Sequence, residues 1–231
     1  MKFSDYPFVF KCLDRHEIEE CAEMTAHVFA SSDPFLSRLG IKEKDLIQII
    51  SKELETAVND RLTLTARDQT GRICGSYAGF PFAGMKIFSE SGFRQINTLR
   101  YNPDKTDLTA DRKPEIADAI NYCLLKEFYD RHLAHNELKS CLFCDWFCVS
   151  QEYFTTSLAP DLARSFFLNA SSRGMEHIYG ASFTARAAKL LMHRFGAKIV
   201  KEISIVFENE KEEYKALLLY GNSNDIRFKN I

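Results

Sequence analysis

Apolar positions recur along this chain with two periods, and the alternation between those periods lays out its secondary structure. Residues 8–13 are mostly apolar and predict a first strand. Asp14, with Glu17 three residues on, has the form of a capping box. Ile18, Cys21, Ala22, Thr25, Val28 and Phe29 then follow at helical spacing, which predicts a helix to about residue 29. Ser31, Ser32, Asp33 and Pro34 end it, because the Pro34 ring disfavours the α conformation at Asp33. A second helix is expected over 42–59, with Leu46, Ile49, Ile50, Leu54, Ala57 and Val58 facing inward. Residues 61–67 alternate with period two, 68–71 turn, and 72–80 return, the pattern of a hairpin.

The segment 81–114 mixes Gly, Pro, Ser and Asp with scattered aromatics, and its length marks it as functional or partly mobile. A long helix is expected over 115–137, a strand over 141–149 and a helix over 161–172. A short strand near 177–180, a helix over 184–195 and strands over 199–207 and 214–220 complete the chain, the last two joined by an acidic turn. No internal repeat is visible. The order β–α–α–β–β–α–β–α–β–α–β–β predicts a mixed α/β sheet in one domain over residues 1–231.

Composition narrows the classes of function. A formal net charge of −2 without a long Lys/Arg run argues against nucleic acid as a partner. No segment is long and apolar enough to span a bilayer, and the first residues lack the apolar run of a signal peptide, so no membrane role is expected. Seven cysteines, an odd number, point to free thiols in a reducing compartment and to a cytoplasmic protein. Nineteen Phe and nine Tyr are a surplus that fills cores or lines an apolar pocket. Phe80, Phe82, Phe88, Phe93 and Tyr101 are candidates to line such a pocket, or simply to anchor their segment.

The stretch 144–160 carries the most chemistry. An apolar strand ending at Val149 runs into the small and hydroxyl residues Thr155, Thr156 and Ser157, and a helix opens near Pro160 and Asp161. Unpaired backbone N–H groups and the positive end of a helix dipole converge in such a turn and make an anion site. The glycine fingerprints of P-loops and dinucleotide folds are absent. Cys141-x-x-Cys144 with Cys148 invites a zinc reading, but a strand places Cys141 and Cys144 on opposite faces and no second Cys/His pair follows, so core thiols and no metal are expected.

Together with the element order, two segments give the chain its resemblance to the GNAT superfamily of acetyl-CoA-dependent N-acetyltransferases, and within it to the arylalkylamine N-acetyltransferase-like branch. The family's acetyl-CoA motif has a strand-ending Val, a Pro, and then Tyr-Arg-Gly-Lys-Gly-Ile-Gly opening a helix. Val149 and Tyr153 match it, Leu158 falls on the Ile and Ala159 on the last Gly. Gln151 replaces the Pro, Phe154 the Arg, and Thr155 and Ser157 two glycines, so the motif is degraded. The second segment, 190–197, is similar to the family's Leu-Tyr-Glu-Lys-Leu-Gly-Phe helix end. The superfamily's general-acid Tyr falls there on Met192, and two serines of the branch fall on Ala185 and Ala188. Thr184 matches a Thr common at the start of that helix, and Asp33-Pro34-Phe35 looks like the branch's Glu-Pro-Leu turn.

The resemblance implies a mostly antiparallel mixed sheet flanked by helices, with a splayed central strand pair. It also implies acetyl-CoA as cofactor and a small primary amine as acceptor, by direct transfer in a ternary complex. Phe147, Cys148 and Val149 would align the thioester through their backbone, and Thr155, Thr156, Ser157, Leu158 and Ala159 would cradle the pyrophosphate. Asp33 is the leading candidate to deprotonate the amine, and Thr184 is carried over with it. Asp145 is a second candidate base, on the same face as Phe147 and Val149 if the strand is regular. His177 and His193 are further candidates, since imidazole is the usual side-chain base near neutral pH. The lost glycines, Arg, Tyr and serines also suit a protein that kept the fold for binding or regulation.

Overall fold

The computed structural model describes residues 7–85, 98–101, 113–207 and 213–223. Strand β1 (Val9–Cys12) leads through a 3-10 turn into α1 (Ile18–Ser32), and the short α2 (Pro34–Arg38) and α3 (Glu43–Ala57) follow. The hairpin of β2 (Leu64–Arg67) and β3 (Ile73–Pro81) comes next, then β4 (Thr98–Tyr101) and α4 (Lys113–Ala134). Strand β5 (Cys141–Val149), α5 (Leu158–Ser172), β6 (His177–Ser182), α6 (Ala185–Phe195), β7 (Lys198–Phe207) and β8 (Glu213–Asn222) complete the order. The eight strands form one sheet in the order β1-β2-β3-β5-β6-β8-β7-β4. Only β5–β6 and β4–β7 pair in parallel; the other pairs are antiparallel.

Two apolar layers sandwich this sheet. On one face α1 to α4 bury Cys21, Ala26, Phe35, Leu46, Ile50 and Leu124 against Phe143, Tyr179 and Leu218. On the other, α5 and α6 bury Leu162, Phe166, Leu191 and Phe195 against Tyr77, Leu142, Cys144 and Val149. The helical spacing of Ile18, Cys21, Ala22 and Thr25 is what puts them on one buried stripe of α1. Thr25 is tolerated there because its hydroxyl bonds Ser76 Oγ at 2.7 Å.

The expected elements are all present, with two additions and several shifted ends. The turn read as a helix stop at Asp33-Pro34 also starts α2: Asp33 is extended (φ −92°, ψ 108°) and Pro34 takes the first helical position, where its missing N–H costs nothing. Strand β4 was hidden in the Gly- and Pro-containing segment, since a four-residue edge strand is too short to show a period. Phe82 of that segment is fully buried core, stacked on Tyr179 at 5.3 Å, whereas Phe88 and Phe93 lie outside the described residues. Helix α5 begins at Leu158, earlier than expected, because Pro160 still falls within the first turn. Helix α4 ends at Ala134 because Asn136 turns left-handed (φ 59°), and the Glu137 N–H returns to the His132 carbonyl at 2.8 Å.

One expectation about β5 is corrected. Tyr77 pairs with Phe147 and Gly79 with Cys144, so Asp145 and Trp146 together face the single residue Ala78. That bulge breaks the period-two alternation. Trp146 turns towards α1, edge-on to Phe29 at 5.1 Å, while Phe147 packs on the opposite layer against Tyr77 at 4.4 Å. The regular alternation that would put Asp145 on one face with Phe147 and Val149 is therefore interrupted at Asp145 itself. All seven cysteines are free, and Cys141 and Cys144 lie in opposite layers. Burial pushes the Cys141 thiol up to about 12, away from any nucleophilic role near neutral pH.

Gly79 is where α5 comes closest to the sheet. A Cβ there would stand 2.9 Å from Phe166 Cζ and 3.0 Å from the Leu62 carbonyl oxygen. Neither a packed ring nor a strand backbone can yield. Gly79→Ala is expected to cost about 1–3 kcal/mol, lowering Tm by roughly 3–10 °C in a chain of this size, measured by thermal unfolding.

Candidate functional site

The centre of the sheet opens. Strands β5 and β6 pair from Cys141–His177 to Cys144–Gly180 and no further, although β5 runs on to Val149 and β6 to Ser182. Beyond that point β5 stays with β3 (Phe147–Tyr77, Cys148–Ser76, Val149–Gly75), and β6 stays with β8 (Ala181–Leu218, Ser182–Leu217). The Ser150 N–H donates to the Cys74 carbonyl at 2.8 Å, which fixes the phase of the ladder. Amides alternate sides along a strand, so Cys148 points back to β3, and Phe147 and Val149 point into the gap.

The turn at the foot of this gap is partly closed. The 3-10 turn Gln151–Tyr153 consumes two amides, Tyr153 to the Ser150 carbonyl and Phe154 to the Gln151 carbonyl. Thr156 N–H donates to the Tyr153 carbonyl, and Leu158 N–H to Thr156 Oγ1 at 3.2 Å. Among the described residues, the amides of Thr155, Ser157 and Ala159 find no hydrogen-bond partner, and they stand at the N-terminus of α5. Phe154 does not plug the turn; it packs against the α5–α6 layer. Asp161, in the first turn of α5, adds a negative charge at the same helix end.

A cation comes from elsewhere. Arg186, in the first turn of α6, donates from Nη2 to the Phe154 carbonyl at 2.6 Å and lies over the Phe154 ring at 4.7 Å. Phe154 thus seats a guanidinium from a different helix. A cation in a first helical turn opposes the dipole, which sets Arg186 apart in the sequence, but no local signal names its partner. Thr184 caps that helix, its Oγ1 accepting from the Ala187 N–H at 3.5 Å.

Asp33 sits across the mouth of the gap. Just before it, Ser31 Oγ accepts from Gln151 Nε2 at 2.8 Å, tying α1 to the end of β5. Just after it, Phe35 stacks on Phe183 at 4.8 Å, tying α2 to the end of β6. Its side chain is 5% exposed, and Oδ1 accepts from the N–H groups of Phe35 (2.8 Å) and Leu36 (3.0 Å). Burial raises its carboxyl above the ordinary aspartate range, and the two amide bonds offset only part of that rise. His193 is exposed in the last turn of α6. His177 begins β6, at the far end from the gap. A small apolar cavity of about 20 Å³ between Phe167, Leu191, Phe195 and Leu219 has room for no more than a water.

No protein-family model matches the sequence, and no curated protein does. The fold, however, is shared with solved structures. Arylalkylamine N-acetyltransferase 2 from Aedes aegypti superposes with a TM-score of 0.60 at 15% identity, covering 94% of this chain and 99% of that one. A mosquito arylalkylamine N-acetyltransferase like 5b gives 0.66 at 13% identity, over 93% and 99%. The polyamine N-acetyltransferase of Drosophila melanogaster gives 0.55 at 12% identity, over 93% and 99%. Likeness at such low identity speaks for architecture, and nearly whole chains correspond. This chain shares their fold, a mostly antiparallel mixed sheet flanked by helices of the GNAT type.

Proposed function

We propose that this protein is an acetyl-CoA-dependent N-acetyltransferase acting on a small primary amine by direct transfer in a ternary complex. The observation that carries the reading is the gap between β5 and β6, which ends at three open amides on a helix N-terminus with Arg186 beside them. An anion that is bulky and multiply charged suits that end, and an extended thioester suits the strand amides above it.

Acetyl-CoA would supply the activated acyl group. The Thr155, Ser157 and Ala159 amides, with the exposed hydroxyls of Thr155 and Ser157, would hold the pyrophosphate, and Arg186 would offset the Asp161 charge. Thr156 and Leu158 shape the turn rather than bind through their amides, which bond internally. The Phe147 and Val149 amides would orient the thioester, and the Val149 N–H would stabilise oxyanion charge at the acyl carbonyl. Cys148 would support this edge from the β3 side, through its ladder and its contact with Ser76. Asp33 would take the proton from the attacking ammonium, since a protonated amine has no lone pair. Its raised pKa makes it a stronger base than an exposed carboxylate, and its N-cap bonds engage only Oδ1. Thr184 fixes the start of α6 and so the position of Arg186. The buried free thiols suit a reducing, cytoplasmic setting.

A second reading, a GNAT-fold protein that binds without turnover, is favoured by one observation: most amides of the 150–158 turn are already bonded internally. The two readings part on experiment. Coenzyme A and acetyl-CoA are expected to raise Tm, and acetyl-CoA with a panel of aryl- and alkylamines is expected to release free thiol. No Tm shift with either ligand at millimolar concentration would remove both readings, and a shift without turnover leaves the second.

Arg186→Ala is expected to weaken coenzyme A binding by about 10–100-fold in calorimetry, the loss of one charge-assisted contact, with little change in the apo Tm. Asp33→Asn keeps an acceptor at the N-cap, so fold and cofactor affinity are expected to persist while kcat falls about 100-fold or more. The wild-type kcat/KM falls as pH drops through the Asp33 pKa, because the protonated carboxyl accepts no proton. That acid limb is expected above the ordinary aspartate range and absent in Asp33→Asn; an unchanged pH profile removes Asp33 as the base.

A further inference from the structure

At the opposite end of the sheet, two histidines and a carboxylate from three separate positions converge. His132 lies in the last turn of α4, Glu137 in the turn that follows it, and His177 opens β6. His132 Nδ1 is 2.8 Å from Glu137 Oε2, and His177 Nε2 approaches the same oxygen at 4.0 Å. The three potential ligand atoms lie within 4.8 Å of one another, and the imidazole rings are 4.5 Å apart. Nothing in the acetyl-transfer reading uses them. Along β5 the gap's Val149 is roughly 25 Å away, eight strand residues on.

The far side of each ring gives the arrangement its meaning. His132 Nε2 is 2.8 Å from Tyr179 Oη, and His177 Nδ1 is 3.0 Å from Tyr220 Oη. Each histidine is thus held by a tyrosine hydroxyl through one nitrogen while the other is aimed at Glu137. Histidines that bind metals are oriented in this way, their second N–H given to an oxygen acceptor. With both rings protonated on the tyrosine side, Nδ1 of His132 and Nε2 of His177 present lone pairs to one point.

We propose that His132, Glu137 and His177 bind a divalent transition metal of the zinc class, with a fourth position open to water on the Glu137 side. Ligand bonds of about 2.0–2.2 Å at tetrahedral angles put donor atoms about 3.4 Å apart. The His132–Glu137 pair must open from 2.8 Å and the His177–Glu137 pair close from 4.0 Å, each by about half an ångström. Two imidazoles and a carboxylate suit zinc, cobalt or nickel over calcium or magnesium. Glu137 is half exposed, which gives the ion access, while His132 is 5% exposed and holds the site rigid. The Cys141 thiol is turned to the Glu137 backbone carbonyl at 3.3 Å and stays out of the ligand set. A bound ion would fasten the end of α4 to the first residue of β6.

The test uses the full chain, stripped with a chelator and titrated with zinc chloride. One equivalent is expected to bind and to raise Tm by about 5–10 °C at free zinc a hundredfold above Kd. His177→Gln and Glu137→Gln are expected to abolish that shift, and Tyr220→Phe to weaken binding about 10–100-fold by releasing the His177 ring. Cobalt in place of zinc is expected to give ligand-field bands without a thiolate charge-transfer band, a readout on the wild type that needs no variant to fold. No stoichiometric binding, equal binding in the variants, or a thiolate band that moves the metal to the cysteines would each overturn the proposal.

Discussion

The parting of β5 from β6 after Cys144 and Gly180 is the constraint on which the rest of this structure depends. Parallel neighbours in a sheet normally continue to pair, because each unpaired strand amide away from water is costly. Here each strand is held by its other neighbour instead. The bulge at Asp145–Trp146 bends β5, and Trp146 locks it to the α1 side through Phe29 and an indole N–H bond to Glu53. β6 is held by an unbroken antiparallel ladder with β8 to its last residue. The sheet is continuous through Cys141–Cys144 and parted beyond, and the wedge between its halves presents strand amides without partners among the described residues.

The electrostatics of the wedge follow from the hydrogen bonds of the turn and from a cation on the neighbouring helix. Within the 150–158 turn, the Tyr153, Phe154 and Thr156 amides donate to turn carbonyls and the Leu158 amide to Thr156 Oγ1. Phe154 supplies the surface on which the Arg186 guanidinium lies. The cation beside the turn thus comes from the neighbouring helix, where it opposes the α6 dipole and is held by a carbonyl and a ring. Asp33 likewise carries two loads. One oxygen caps α2, and burial of the whole group raises its pKa, so stability and basicity come from the same placement.

The second concentration of polar groups, around His132 and His177, lies where β5 and β6 begin, and the wedge lies where they part. The register Cys141–His177 keeps that lower end tight. Tyr179 and Tyr220 sit in the core layer beside Phe82 and Phe128, so the rings they orient have little freedom. Order at one end and opening at the other are properties of the same pair of strands.

Much of this was legible in the sequence. Helical spacing in α1 and α3, alternation in the hairpin and in β7 and β8, and the strand-to-helix turn at Val149 depend on local periodicity, which tertiary contacts did not overrule. The opposed faces of Cys141 and Cys144 and the resemblance to the GNAT fold were readable for the same reason. What the sequence did not hold was anything set by residues far apart in the chain. The bulge at Asp145 is a mismatch with β3, Arg186 meets Phe154 across 32 residues, and His132 meets His177 through a register between strands. Local pattern decides which elements form, because each residue's own backbone and burial preference acts there. Which side chains meet is decided only when the sheet assembles, since register, curvature and layer packing are properties of pairs of elements and of no single segment.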